Sequence, residues 1–232
     1  MKTIGLIGGM SWESTIPYYR LINEAVRERL GGLHSARLVL HSVDFAEIEQ
    51  LQRAGEWDAT GAILAQAARG LEAAGAELLL IGANTMHKVA PAVAATVRIP
   101  LLHVADATAA AVKAAGLDTV GLLGTRFTME QTFYVERLQQ HGLTVIVPEA
   151  DARALVHRVI YEELCRGRIL DASRAAYREV MAALVAQGAQ GIVLGCTEIA
   201  LLVDAGDASV PLFDTTRLHA IAAVDWALDA GG

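Results

Sequence analysis

LLLIGANT at residues 78–85 and GIVLGCTE at residues 191–198 decide how this chain folds. Each is a short run of Leu, Ile or Val that closes on a glycine, a small residue and two polar ones. A continuous apolar run of that length, ended by glycine, reads as a strand covered on both faces, which is the habit of parallel sheets. The two copies differ where it matters for chemistry: Ala83 follows the glycine in the first and Cys196 in the second. A second pair repeats the relation. IGLIGGMS (4–11) is echoed by VGLLGTRF (120–127) at an offset of 116, against 113 for the first pair. Two offsets so close point to a duplicated α/β unit.

The rest of the chain fits that unit. Further apolar runs at 37–43, 99–104, 144–147 and 210–213 read as strands. Helical patterns fill 14–30, 58–74, 87–95, 105–115, 128–141, 151–166, 171–187 and 215–229. Gly75, Gly116, Gly142 and Gly188 each stand where a helix end wants a left-handed residue. The expected fold is α/β: two similar flavodoxin-like lobes with parallel sheets, related by a pseudo-twofold, with the active site in the cleft between them. Residues 1–98 with 210–232 form the first lobe and 99–209 the second. Ligands of parallel sheets bind beyond the carboxyl ends of the strands, and all four echoed motifs lie there.

Bulk properties remove several classes of function. A net charge of −7 speaks against a nucleic-acid partner, which needs clustered Lys and Arg. No apolar stretch reaches the roughly 18 residues of a membrane span. Gly8, Gly9, Trp12 and Glu13 break the opening apolar run, so a mature cytoplasmic N-terminus is expected. Cys165 and Cys196 form no Cys-x-x-Cys, and the seven histidines form no ligand motif, so no metal site is expected. GGMSWEST could offer backbone N–H groups to an anion, yet it lacks the lysine of a phosphate loop and the dinucleotide fingerprint. Only Lys2, Lys88 and Lys113 could form a pyridoxal aldimine, and none has a phosphate loop beside it, so no cofactor is expected.

Cys196 is the residue best placed for chemistry. It ends a buried strand and begins a helix, where unpaired N–H groups favour negative charge and a thiol can fall below its free pKa of about 8.5. Cysteine is also a common small core residue, and that reading stands beside the functional one. Cys165, in YEELCRG, reads as packing. Asn84 and Thr85 occupy the places that Thr197 and Glu198 hold in the echo, and together they could hold a polar ligand or cap strand ends. Thr125 and Arg126 could bind a carboxylate; Arg126 could equally be a solvated residue at a helix start. His87 could orient the site or serve as a satisfied structural histidine.

GLIGGMSWEST, LLIGANTMH, LLGTRFTM and GIVLGCTEI resemble the aspartate/glutamate racemase family. MSWESTIPYYRLIN, LHSVDFAEIE, GEWDATGAIL and PLFDT resemble its bacterial branch specific for L-aspartate and L-glutamate. The resemblance implies a cofactor-independent racemase, usually dimeric, in which one thiol removes the substrate Cα proton and a second group returns one on the opposite face. The implied substrate is L-aspartate, L-glutamate or a similar dicarboxylate. The family's second-lobe cysteine falls on Cys196. Its substrate-holding residues fall on Met10, Gln52, Asn84, Thr85, Thr197 and Glu198, and Arg166 is the nearest match to a basic residue that holds the side-chain carboxylate.

The sequence departs from the family at Ala83, where the first acid/base belongs, usually cysteine and in this branch threonine. Alanine carries no proton. A single thiol would return the proton to its own side, giving exchange without inversion. Thr85 or water could supply the other face weakly. The other readings are a single-thiol decarboxylase or isomerase of the type of arylmalonate decarboxylase, and a binding protein for acidic amino acids.

Overall fold

The computed structural model describes residues 1–229. The chain divides into two compact units, Met1–His103 joined by the segment from His219, and Val104–Leu218.

In unit 1, strands β1 (Ile4–Gly8), β2 (Leu38–Ser42) and β3 (Leu78–Ile81) form a parallel sheet in the order β2-β1-β3. In unit 2, β4 (Thr119–Gly124), β5 (Thr144–Ile146), β6 (Gly191–Gly195) and β7 (Leu212–Asp214) are parallel in the order β5-β4-β6-β7. The expected α/β class with two parallel sheets is what the chain forms.

Side chains alternate across a strand, so each sheet sorts its residues onto two faces. Ile7, Leu79 and Ile81 join one cluster with Leu64, Ala68 and Leu71 of helix α3 (Trp57–Ala73). Ile4, Leu6, Leu78 and Leu80 join another with Tyr18, Ile22 and Val26 of helix α1 (Trp12–Leu30). Unit 2 repeats the scheme. Leu123, Ile192 and Leu194 pack with Tyr177 and Leu184, while Val120, Leu122 and Val193 pack with Tyr134 and Leu138. Both faces of each sheet are therefore apolar, which is why the strands read as unbroken runs.

The register makes the duplication concrete. Ile7 pairs with Ile81, and Leu123 pairs with Leu194. These pairs are related by the offsets 116 and 113 read from the echo. The relation extends to the fourth position of each sheet. Leu79 bridges to Leu101 and donates its N–H to Pro100 O, just as Ile192 pairs with Leu212 and donates to Pro211 O.

This last match corrects the boundaries expected at 98/99 and 209/210. Residues 99–103 stay with the first unit and 210–214 with the second, because each segment completes its own sheet by backbone pairing. The strand expected at 99–104 shrinks to one bridge: Pro100 has no N–H to give, and helix begins at Val104. The chain also forms a helix that the pattern missed, α2 (Phe45–Ala54), with Asp44 accepting from Ala46 N at its start and Gly55 at φ +79° at its end. The helix expected at 128–141 breaks at Gln131, whose extended backbone separates Arg126–Glu130 from Thr132–Gln140. The one expected at 87–95 opens with a 3-10 turn, Thr85–Val89, and Pro91 sits in the first turn of the helix that follows.

Glycine at the strand ends permits close backbone approach. A Cβ on Gly195 would stand 2.8 Å from Leu123 O and 2.7 Å from Leu122 Cδ1. Backbone of a central strand cannot yield to it, so Gly195→Ala is expected to cost about 1–3 kcal/mol. Urea denaturation measures it, and an unchanged midpoint would contradict the packing described.

Candidate active site

The C-terminal ends of β4 and β6 bring the unit 2 residues together. Gly124 and Gly195 are paired across the sheet, so Thr125 and Cys196 follow on neighbouring strands. Cys196 is buried, with only 7% of its surface exposed, on the same sheet face as Ile192 and Leu194. Its Sγ donates to Glu198 Oε2 at 3.0 Å, and Thr197 Oγ1 donates to the same oxygen at 2.8 Å. One carboxylate oxygen thus receives both the thiol and the hydroxyl. Charged acceptors make stronger hydrogen bonds, so this is a tightly held triad of adjacent residues.

The expectation of a lowered thiol pKa is overturned. Burial pushes the Cys196 thiol well above its ordinary value, and the neighbouring Glu198 carboxylate pushes the same way. The helix that was to stabilise a thiolate, Ile199–Leu202, is a single turn, and its first N–H bonds back to Cys196 O. A thiolate there would lose its hydration and face a carboxylate, which outweighs one short turn of backbone dipoles.

Thr125 spends its hydroxyl locally: it caps the next helix, accepting from Thr128 N at 3.3 Å and meeting Thr128 Oγ1 at 3.2 Å. Arg126 starts that helix, with its N–H donated to His157 Nδ1. Arg166 is exposed on the 3-10 turn Leu164–Arg166, which packs against the short helix after Cys196. Cys165, on the same turn, packs half-buried against the cluster that contains Cys196.

Unit 1 assembles the other residues in the same way. Ala83 follows Gly82 at the end of β3 on the face shared by Ile7, Met10 and Met86, as Cys196 follows Gly195. Asn84 and Thr85, both buried, lead into the 3-10 turn. Gln52 is buried on α2 and donates from Nε2 to Met86 Sδ at 2.9 Å. Met10, Gln52, Ala83, Asn84 and Thr85 therefore surround one strand end. The residues that sequence reasoning left aside are His103 and His219, whose rings pack against His87, and Tyr18, which bonds to His219. No local signal marks them, because they are far apart in the chain.

A cleft of about 620 Å³ on unit 1, lined by Trp57, Arg69, Lys88 and Pro91 among others, contains none of these strand-end residues. Among the described residues there is no group of three His, Cys, Asp or Glu that could hold a metal, and no helix long and apolar enough to cross a membrane.

Residues 7–223 match the family model for Asp/Glu/hydantoin racemases. The chain belongs to this racemase family. A candidate Asp/Glu racemase from Yersinia pestis is 60% identical over 99% of this chain and 100% of its own, with a TM-score of 0.91. An aspartate racemase homologue from Pyrococcus horikoshii OT3 is 36% identical over 99% and 100%, with a TM-score of 0.86. Glutamate racemase from Francisella tularensis, solved with D-glutamate, is 16% identical, covers 100% of this chain and 84% of its own, and has a TM-score of 0.67. At that identity it shows the fold alone. Membership of the racemase family makes the protein an isomerase of the racemase class.

Proposed function

We propose that this racemase acts on aspartate, glutamate or a similar dicarboxylate without a cofactor, through the Cys196 thiol. The observation that carries the reading is the Cys196–Glu198 hydrogen bond at the end of β6. The thiol gives up its proton to solvent while Glu198 holds the sulfur in place, and the thiolate then removes the substrate Cα hydrogen. The Cα–H bond breaks, the S–H bond re-forms, and the electron pair moves into the substrate carboxylate as an enolate. Desolvation of the thiolate at the moment it forms makes it a stronger base than a thiolate in water. Asn84, Thr85, Gln52, Met10 and Thr197 hold the substrate, and Thr125 and Arg166 lie at its carboxylates. The reading includes a homodimer in the cytoplasm, carried by the family resemblance.

Ala83 stands where the family places its other proton carrier. With no acid there, the enolate is reprotonated mainly from the face on which it formed, so turnover is one-sided. Thr85 or solvent supplies the other face slowly. Proton NMR of L-aspartate and L-glutamate in deuterated water, with chiral chromatography of the same samples, tests the reading. The expected result is loss of the Cα–H signal that runs ahead of inversion. Carbon dioxide release from a substituted malonate would instead make it a single-thiol decarboxylase, and binding without exchange would make it a binding protein.

The pH dependence follows from the raised thiol. A group held above its ordinary pKa stays protonated through neutrality, and its basic form grows as pH rises. Exchange is therefore expected to climb about tenfold per pH unit from neutral into the alkaline range. A profile flat across neutral pH would mean that the base is already ionised, against the burial described.

A further inference from the structure

Four segments of unit 1 place Tyr18, His87, His103 and His219 in one aromatic cluster that the proposed chemistry does not use. The rings of His87 and His103 lie 4.4 Å apart, and those of His87 and His219 5.8 Å. Tyr18 and His219 are wholly buried and His87 is 2% exposed.

Hydrogen bonding fixes where the protons are. His219 Nε2 lies 2.9 Å from Leu102 O, and a carbonyl only accepts, so Nε2 carries the proton. In the neutral ring Nδ1 then accepts, and Tyr18 Oη stands 2.9 Å from it as donor. His87 is the opposite tautomer. Its Nδ1 lies 2.9 Å from Ala83 O, so the proton is on Nδ1. His87 holds the turn a second time through its backbone N–H, which donates to Asn84 O at 3.1 Å.

A peptide unit is planar, so fixing Ala83 O also fixes the direction of Asn84 N–H and the place from which the Asn84 side chain starts. We propose that His87 is a positioning residue for the strand-end turn Ala83–Thr85, holding it through the Nδ1–H that it gives to Ala83 O. The inference rests on the racemase reading for its kinetic consequence. The turn is held from behind by an imidazole rather than by the side chain at position 83, so position 83 can change without moving Asn84 or Thr85.

Three measurements on the full-length protein test this. Ring nitrogen NMR of the wild type should show His87 protonated on Nδ1 and His219 on Nε2. Asn places an amide donor near where the Nδ1–H of histidine stands, so His87→Asn should keep kcat for Cα exchange within about threefold. His87→Leu keeps the bulk and loses the donor, and should lower kcat about 10- to 100-fold, the scale of a misplacement near the chemistry. Rescue by Asn and not by Leu, at matched thermal stability, supports positioning; a core-filling role predicts the reverse order. An Nε2–H tautomer at His87, or equal kcat in wild type and His87→Leu, overturns the proposal. Should the wild type show no exchange at all, the racemase reading fails, and the tautomer measurement alone decides for or against the positioning of the turn.

Discussion

Cys196→Ala is expected to lower Cα–deuterium exchange by about 10²- to 10⁴-fold, the span over which a positioned acid or base contributes. The loss follows from what surrounds the sulfur. Cys196 is held by Glu198 at 3.0 Å, and Thr197 holds the same oxygen at 2.8 Å, so the carboxylate keeps one donor when the thiol is removed. The site therefore stays assembled while its proton carrier is gone. Cys165→Ala is the matched control. Its thiol sits half-buried on a 3-10 turn and packs against the cluster around Cys196, and its removal is expected to leave exchange near the wild-type rate. Cys196→Ser separates shape from acidity: the hydroxyl can keep the bond to Glu198 yet ionises far less readily, so exchange should also fall. Exchange that survives Cys196→Ala, followed by NMR in deuterated water, would move the chemistry to another residue.

Ala83→Cys is expected to raise the ratio of inversion to exchange by about 10²-fold or more, by supplying a proton carrier on the face that lacks one. The pairing register argues for it. Ile81 and Leu194 occupy equivalent places in their sheets, and two residues on, along the same face, stand Ala83 and Cys196. A sulfur at position 83 adds volume to the packed cluster that holds Met10 and Met86, so a small stability cost, about 1 kcal/mol, accompanies the gain. Ala83→Thr should act in the same direction and more weakly, since a hydroxyl gives up its proton less easily. Chiral chromatography against the rate of Cα exchange reads the ratio directly. An unchanged ratio in both variants would show that inversion already has its acid elsewhere, with Thr85 as the first residue to examine.

The strand ends were legible because glycine and the apolar runs are short-range signals, and the echo carried even the register: offsets read between IGLIGGMS and VGLLGTRF reappear as Ile7–Ile81 against Leu123–Leu194. Gathering Met10, Gln52, Asn84 and Thr85 at one strand end, and Thr197 and Glu198 at the other, required only that register plus the family resemblance. The lobe boundaries were not legible, since membership of Leu101 and Leu212 depends on backbone pairing that their side chains do not advertise. Helix α2 hid behind a strand-like lead-in, although Asp44 and Gly55 mark its two ends. The thiol went wrong for a different reason. A helix start can be read from sequence, whereas the depth of burial of Cys196 and the aim of the Glu198 carboxylate come from tertiary packing. The cluster of Tyr18, His87, His103 and His219 lay beyond any window, its members far apart in the chain.

Unit 2 runs without interruption from Val104 to Leu218, while unit 1 takes its final helix only from His219 onward. Ala220, Ala223, Val224 and Ala227 close the sheet face formed by Ile4, Leu6, Leu78 and Leu80. A chain growing on the ribosome therefore completes the cysteine-bearing half first. The earlier-made half waits, with one side of its sheet covered by helix α1 but not yet by Ala220, Ala223, Val224 and Ala227, for the segment from His219 to emerge. The helix Thr215–Leu228 is thus a closing piece of unit 1, and losing it would strip the part of that unit made first rather than the part made last.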